Sequence, residues 1–334
     1  MKYKLFGTTT GLYVSEMVLG AAMFGISSGY GANPEEARAI FQRYAEAGGN
    51  FIDTSDQYQL GESERLIGEF IAANRNDFVI SSKYTRSSRT NPSLGTTGNN
   101  RKVMVQSVEE SLKRLKTDHI DIYMAHFDDG VTPVEEIVRG LDDLAKAGKI
   151  IYGGLANFSA WKTATASNIA QIKGLVPIAA LQIEYNLLQR TPERELIPMA
   201  KYFGMGLMTY SPLAGGILTG KYRKGETGRI NLMGGLEKTK ATKTEIAMDA
   251  LIAIADEIGA NPGQVAIAWV KAKGGFTIIG PRTNVQLEDN LGAINIQLNQ
   301  EHLTRLDDAS AISLDYPHEL NNSQQQVIKG NKLD

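Results

Sequence analysis

Phe78-Val79-Ile80-Ser81-Ser82-Lys83-Tyr84 and Ile120-Asp121-Ile122-Tyr123-Met124-Ala125-His126 are two short, mainly apolar runs with a helical pattern at 101–116 between them. A buried strand, a crossover helix and a second buried strand read this way. Outward from this unit the alternation repeats. Candidate strands fall at 17–20, 51–54, 78–84, 120–126, 151–157, 179–186, 206–211 and 276–281. Helical patterns occupy 34–47, 62–73, 101–116, 133–147, 159–171, 193–203, 243–258 and 262–273, and two more follow at 284–292 and 299–311. Asn33-Pro34, Thr132-Pro133 and Asn261-Pro262 carry helix-start signals, and Gly148 carries a stop. A hairpin-like segment precedes the first strand.

This order predicts one α/β domain over 1–334, a (β/α)8 TIM barrel with an N-terminal β-hairpin, two extra helices and long loops on the active face. A doubly wound open sheet is the alternative. It would show Gly-x-Gly-x-x-Gly after its first strand, and Gly20-Ala21-Ala22-Met23-Phe24-Gly25 lacks that spacing.

A formal net charge of −2 creates no field to recruit nucleic acid or an anionic membrane. With no cysteine, disulfides, thiolate metal sites and a cysteine nucleophile are excluded. Residues 1–10 lack the apolar core of a signal peptide, and the apolar stretch 17–26 is too short to span a bilayer. The expectation is a cytoplasmic protein. Three segments exceed ordinary loop length: 85–100, 222–240 and the tail from 313. The first two follow strands, which places them at the barrel mouth. The tail, 313–334, is read as a lid or a flexible end.

Asp53, Tyr58, Lys83 and His126 sit at or just past the carboxyl ends of three successive candidate strands. Alone, each has an ordinary explanation as a cap, a loop aromatic or a satisfied core histidine. Lys83 is the least ordinary, because it ends an otherwise apolar strand and a buried ammonium needs a partner. In a barrel these ends converge. There Lys83 would favour the Tyr58 phenolate, Asp53 would keep Lys83 charged, and His126 would donate to a carbonyl oxygen or share the phenol proton. No nucleophile for acyl transfer and no histidine cluster for a metal is evident. Such a site needs an external hydride source. Asn157 ends the fifth strand, Gln182 lies in the sixth, Tyr210-Ser211-Pro212-Leu213-Ala214-Gly215-Gly216 leaves the seventh, and Gly280-Pro281-Arg282-Thr283 leaves the eighth and opens a helix suited to a phosphate.

Ordered motifs along nearly the whole chain resemble the aldo-keto reductase superfamily. They are Asn50–Thr54, Gly61-Glu62-Ser63-Glu64, Ser82-Lys83, Ser111–His126, Gly154–Ser159, Gln182–Asn186, Tyr210–Tyr222, and Gln286 with Asn290. The sequence looks closest to bacterial members related to the voltage-gated potassium channel β subunits. The resemblance implies NADPH, with NADH less favoured, a small carbonyl substrate and a possible homo-oligomer. It implies Tyr58 as general acid, with Asp53, Lys83 and His126 completing a tetrad. It also implies cofactor contacts at Gly20 and Ala21, at Asn157 and Gln182 for the carboxamide, and at Tyr210 for the nicotinamide ring. Ser211, Pro212, Leu213, Gly215, Lys221 and Arg229 fall at the pyrophosphate, and Gly280, Arg282, Gln286, Asp289 and Asn290 at the adenosine end. Three departures stand out: Ala156 for a frequent serine, Gln59 for a frequent glycine after Tyr58, and Ala21-Ala22 for a polar-then-bulky pair. A redox-sensing NADPH-binding partner is the alternative function, which the presence of His126 disfavours. A Schiff-base enzyme using Lys83 is a more distant one.

Overall fold

Eight parallel strands close on themselves in the order β10-β3-β4-β5-β6-β7-β8-β9. The computed structural model describes residues 1–232 and 241–329, with the side chains of Arg229, Leu232 and Gln326 outside the described set. A hairpin of β1 (Tyr3–Leu5) and β2 (Tyr13–Ser15) comes first. The barrel strands are β3 (Met17–Gly20), β4 (Phe51–Asp53), β5 (Val79–Tyr84), β6 (Ile120–Ala125), β7 (Ile150–Ala156), β8 (Ile178–Glu184), β9 (Gly206–Tyr210) and β10 (Phe276–Ile279). Helices α1 (Pro34–Glu46), α2 (Glu62–Phe70), α3 (Arg101–Leu115), α4 (Val134–Lys146), α5 (Ala160–Lys173) and α6 (Leu196–Tyr202) follow successive strands. After β9 come α7 (Arg229–Leu232), α8 (Thr242–Ile258) and α9 (Pro262–Ala272), and after β10 come α10 (Asn284–Leu291), α11 (Gln300–Ala309) and α12 (His318–Ile328).

The expected barrel and hairpin are therefore present. Asn33 caps α1 by accepting from the Glu36 amide, and Asn261 forms a reciprocal capping box with Gln264. Strands such as β5 are buried along their whole length because helices cover the outside and neighbouring side chains fill the inside.

Two apolar layers result. The larger lies between strands and helices and includes Leu19, Ile40, Tyr84, Leu141 and Trp269. The smaller fills the barrel and includes Phe6, Val18, Phe51, Ile122, Met208 and Phe276. Phe6 comes from the hairpin and packs on the amino-terminal ends of β4 and β10, with ring centroids 5.6 Å from Phe51 and 5.1 Å from Phe276. It also explains Gly206, where a Cβ would stand 2.4 Å from the Phe6 ring. The hairpin thus stoppers the end opposite the strands' carboxyl ends.

One expectation changes. The helix expected over 193–203 is a short 3-10 turn, Thr191–Glu193, followed by α6, with the Pro192 ring at the turn's start. The described part of the tail carries α12, a third helix after β10. Arg194 meets Ser313 O at 2.6 Å and Asp315 at 2.5 Å, and His318 Nε2 meets Glu195 at 2.8 Å. Residues 233–240 and 330–334 of the expected loop and tail lie outside the described residues.

Candidate active site

β4, β5 and β6 are neighbours, and their register brings Asp53 opposite Ser81 and Lys83 opposite Met124. Lys83 is fully buried. Its Nζ donates to Asp53 Oδ1 and Oδ2, both at 2.8 Å, and to Thr54 O at 2.6 Å. Asp53 Oδ1 also accepts from Ser81 Oγ at 2.6 Å and Gln182 Nε2 at 2.9 Å. Burial opposes the Lys83 charge, yet Asp53 and Tyr58 outweigh it and hold the ammonium pKa above its ordinary value. Lys83 Nζ lies 5.1 Å from the Tyr58 ring centroid. The phenol therefore rests on a permanent positive charge that is itself locked to a carboxylate.

His126 follows β6, with its ring 5.8 Å from that of Tyr58 and nearly perpendicular to it. Burial first, then the charges of Lys83 and Arg86, push the imidazole pKa down to about 2, so the ring is neutral. Its Nδ1 is 3.2 Å from Ser55 Oγ. Phe127 stacks on it with centroids 4.2 Å apart.

The site opens into a cleft of about 780 Å³ at the strands' carboxyl ends. Tyr58, His126, Asp53, Gly20, Asn157, Gln182 and Tyr210 line one part of it. Ser211, Pro212, Leu213, Gly215, Lys221, Gly280, Arg282, Gln286, Asp289 and Asn290 line the rest. Lys83 lies beneath rather than on the wall. Ala21 is fully buried, its amide donating to Asp53 O and its carbonyl accepting from Ser63 Oγ, and the neighbouring Ala22 and Met23 line the cleft. The expected contact at Arg229 concerns a side chain outside the described residues. Neither 85–100 nor the described tail contributes to the lining. Loop 85–100 is clipped shut by Thr85 and Asn99, joined at 2.6 Å, while Asn99 reaches Phe127 O at 2.7 Å.

Asn157 takes a left-handed backbone conformation, φ 60°, just after β7. Its amide bridges two strands, donating to His126 O at 3.0 Å and accepting from Tyr210 OH at 2.9 Å. Ser211 and Ala214 are also left-handed, and with Gly215 and Gly216 they make a tight turn leaving β9. At the far end Arg282 stacks on Tyr30 at 4.7 Å, and its Nε is buried without a partner among the described residues. It stands just before α10, whose cap is Thr283. An orphaned guanidinium nitrogen at a helix amino terminus, with Lys221 across the turn, fits an elongated anionic ligand such as a phosphorylated dinucleotide. Tyr30 and Phe127 were not singled out from sequence. Phe127 had one signal, its place directly after His126, and Tyr30 had none.

Comparison with known proteins agrees with this arrangement. The sequence pattern of the Aldo/keto reductase family matches residues 16–311. A putative aryl-alcohol dehydrogenase of Saccharomyces cerevisiae is 34% identical, the alignment covering 98% of this chain and 92% of the relative. An aryl-alcohol dehydrogenase [NADP(+)] of Phanerodontia chrysosporium is 34% identical over 92% of this chain and 86% of its own. An uncharacterized oxidoreductase of Bacillus subtilis is 33% identical over 92% and 95%. The narrower likeness to channel subunits rests on sequence motifs alone.

Proposed function

The chain belongs to the aldo/keto reductase family, and from that premise we propose that it is an NADPH-dependent oxidoreductase reducing aldehydes or ketones to alcohols, with Tyr58 as general acid. The observation that carries this reading is the Asp53–Lys83 pair buried beneath Tyr58. When bound, the reduced nicotinamide would supply hydride to the carbonyl carbon. Tyr58 would give its hydroxyl proton to the carbonyl oxygen. Lys83 would stabilise the phenolate left behind, and Asp53 keeps Lys83 charged and aimed. Neutral His126 can hydrogen-bond the same oxygen without competing for its charge. The three acceptors around Lys83 argue against an imine there, since an imine-forming amine must first shed its proton.

Asn157 and Gln182 would meet the nicotinamide amide, and the Tyr210 face would stack on its ring. The turn 211–216 and Lys221 would hold the pyrophosphate, with Gln286, Asp289 and Asn290 at the adenosine. Arg282 would meet a 2′-phosphate. The relative whose name carries NADP(+) supports that choice, and the relatives named for aryl alcohols favour aromatic aldehydes among the substrates.

The test is NADPH oxidation against aromatic and aliphatic carbonyls, with Tyr58→Phe as control. Turnover in Tyr58→Phe should fall by about 10²–10⁴-fold, the usual share of a general acid, with NADPH binding retained. Unchanged turnover removes Tyr58 from the mechanism. NADPH binding with no reduction of any carbonyl returns the redox-reporting reading.

A further inference from the structure

Ser55 and Asp56 lie between two residues of the proposed tetrad and have no part in the chemistry described so far. Both are buried. Ser55 Oγ stands 3.2 Å from His126 Nδ1 and 3.2 Å from Asp56 Oδ1, with Lys83 O a more distant acceptor at 3.5 Å. A hydroxyl has one proton and can serve only one of these neighbours at a time. The imidazole is held neutral, so it must choose between two tautomers, and the partner of Nδ1 decides which.

We propose that Asp56 is a positioning residue that, through Ser55, sets which nitrogen of His126 carries the proton, and so whether His126 offers the cleft a donor or an acceptor. The inference rests on the reductase reading for its purpose, not for its geometry. With Asp56 protonated, its carboxyl donates to Ser55 Oγ, Ser55 donates to Nδ1, and the ring proton sits on Nε2, ready for a carbonyl oxygen. With Asp56 ionised, Ser55 donates to the carboxylate, Nδ1–H donates to Ser55, and Nε2 becomes an acceptor, suited to an alcohol.

The two states differ by one proton. Passing from the first to the second, the Nε2–H bond breaks and its proton goes to solvent or to an oxygen in the cleft. The Ser55 proton moves to Nδ1, and the Asp56 proton moves to Ser55. No electrons change hands.

The groups around Asp56 suit such a switch. Burial, then Glu64 on α2, push its carboxyl up to about 7, while Arg114 on α3 pulls the other way. Glu64 is itself tied to Arg114 at 2.7 Å and to Ser82 Oγ at 2.5 Å. Tyr123 on β6, whose buried hydroxyl lacks a partner among the described residues, also feels Asp56. Lys83 offers only its carbonyl here, accepting from the Asp56 amide at 3.0 Å. On the His126 side the facing charges are Lys83 and Arg86. One carboxylate with one acidic and one basic neighbour is thereby poised to titrate near neutrality.

The experiment is a ¹⁵N-histidine spectrum of the full chain without added nucleotide from pH 5.5 to 8.5, with His126 assigned by its loss in His126→Gln. The expected result is that the protonated-nitrogen signal moves from Nε2 to Nδ1 as pH rises. Ser55→Ala and Asp56→Asn should each abolish the exchange, and Ser55→Thr should restore it. A signal that stays on one nitrogen in the native chain overturns the proposal. So does an exchange that persists unshifted in Ser55→Ala or Asp56→Asn. Exchange with no carbonyl reduced would sink the reductase reading alone, and reduction without exchange would sink only the switch.

Discussion

Gln59 and Leu60, immediately after Tyr58, both adopt left-handed backbone conformations, φ 50° and 54°. Each costs about 1–2 kcal/mol for an ordinary side chain. Gln59 offsets its strain by anchoring the turn: it donates to Tyr30 O at 2.9 Å and Ala22 O at 3.3 Å and accepts from Ser28 N at 2.9 Å. Glycine is thus not needed where it is frequent, because a side chain does the fixing. Gln59→Ala should lose the anchor and keep the strain, whereas Gln59→Gly loses both. Gln59→Gly should therefore unfold at higher urea, by about 1 kcal/mol. The reverse order would refute the strain account. His126 and Asp56 act oppositely with pH. The depressed His126 pKa gives stability present above pH 6.5 and lost on acidification, about 3 kcal/mol by pH 4. The raised Asp56 pKa gives stability present below about 4 and lost as pH rises through 7, about 4 kcal/mol in all. Urea titrations of the variants at pH 4, 5.5 and 7 are compared with the native profile. Relative to the native chain, stability should fall with pH in His126→Gln and rise in Asp56→Asn. Superimposable profiles for all three would rule out both shifts.

Among the elements, α10 makes the sharpest claim. Its amino terminus, Thr283 and the orphaned Arg282 Nε together form an anion seat. Arg282→Ala should weaken NADPH binding far more than NADH binding, measured by fluorescence titration. Equal losses would place the 2′-phosphate elsewhere. The strands of the barrel were legible because burial on both faces writes them as apolar runs, and Lys83 was legible because it interrupts one. Asn157 and Tyr210 stood out by their place at strand ends, and Gln182 as a polar residue inside an apolar strand. Asp56 was not: an acid in a loop reads as solvated until α2 and α3 are seen to cover it. Nor was α12, whose run Asn321-Asn322-Ser323-Gln324-Gln325-Gln326 has no apolar stripe to announce a helix. Its position depends on contacts with Arg194 and Glu195, 119 and more residues earlier for the Arg194–Ser313 bond.

At the scale of the molecule, the hairpin and the cleft occupy opposite ends of one barrel. Phe6 is fully buried among residues at the strands' amino-terminal ends. Phe6→Ala should cost about 3–5 kcal/mol in urea unfolding, the usual range for a buried phenylalanine. A loss below about 1 kcal/mol would mean the stopper contributes little packing. The separation of the two ends has a practical side. Gly11, in the hairpin turn, is exposed, and a side chain placed there would meet nothing within 4 Å. The chain has no cysteine of its own. Gly11→Cys would therefore give a single addressable thiol at the closed end, and molecules coupled through it to a bead or an electrode would all stand with their open ends facing the solution.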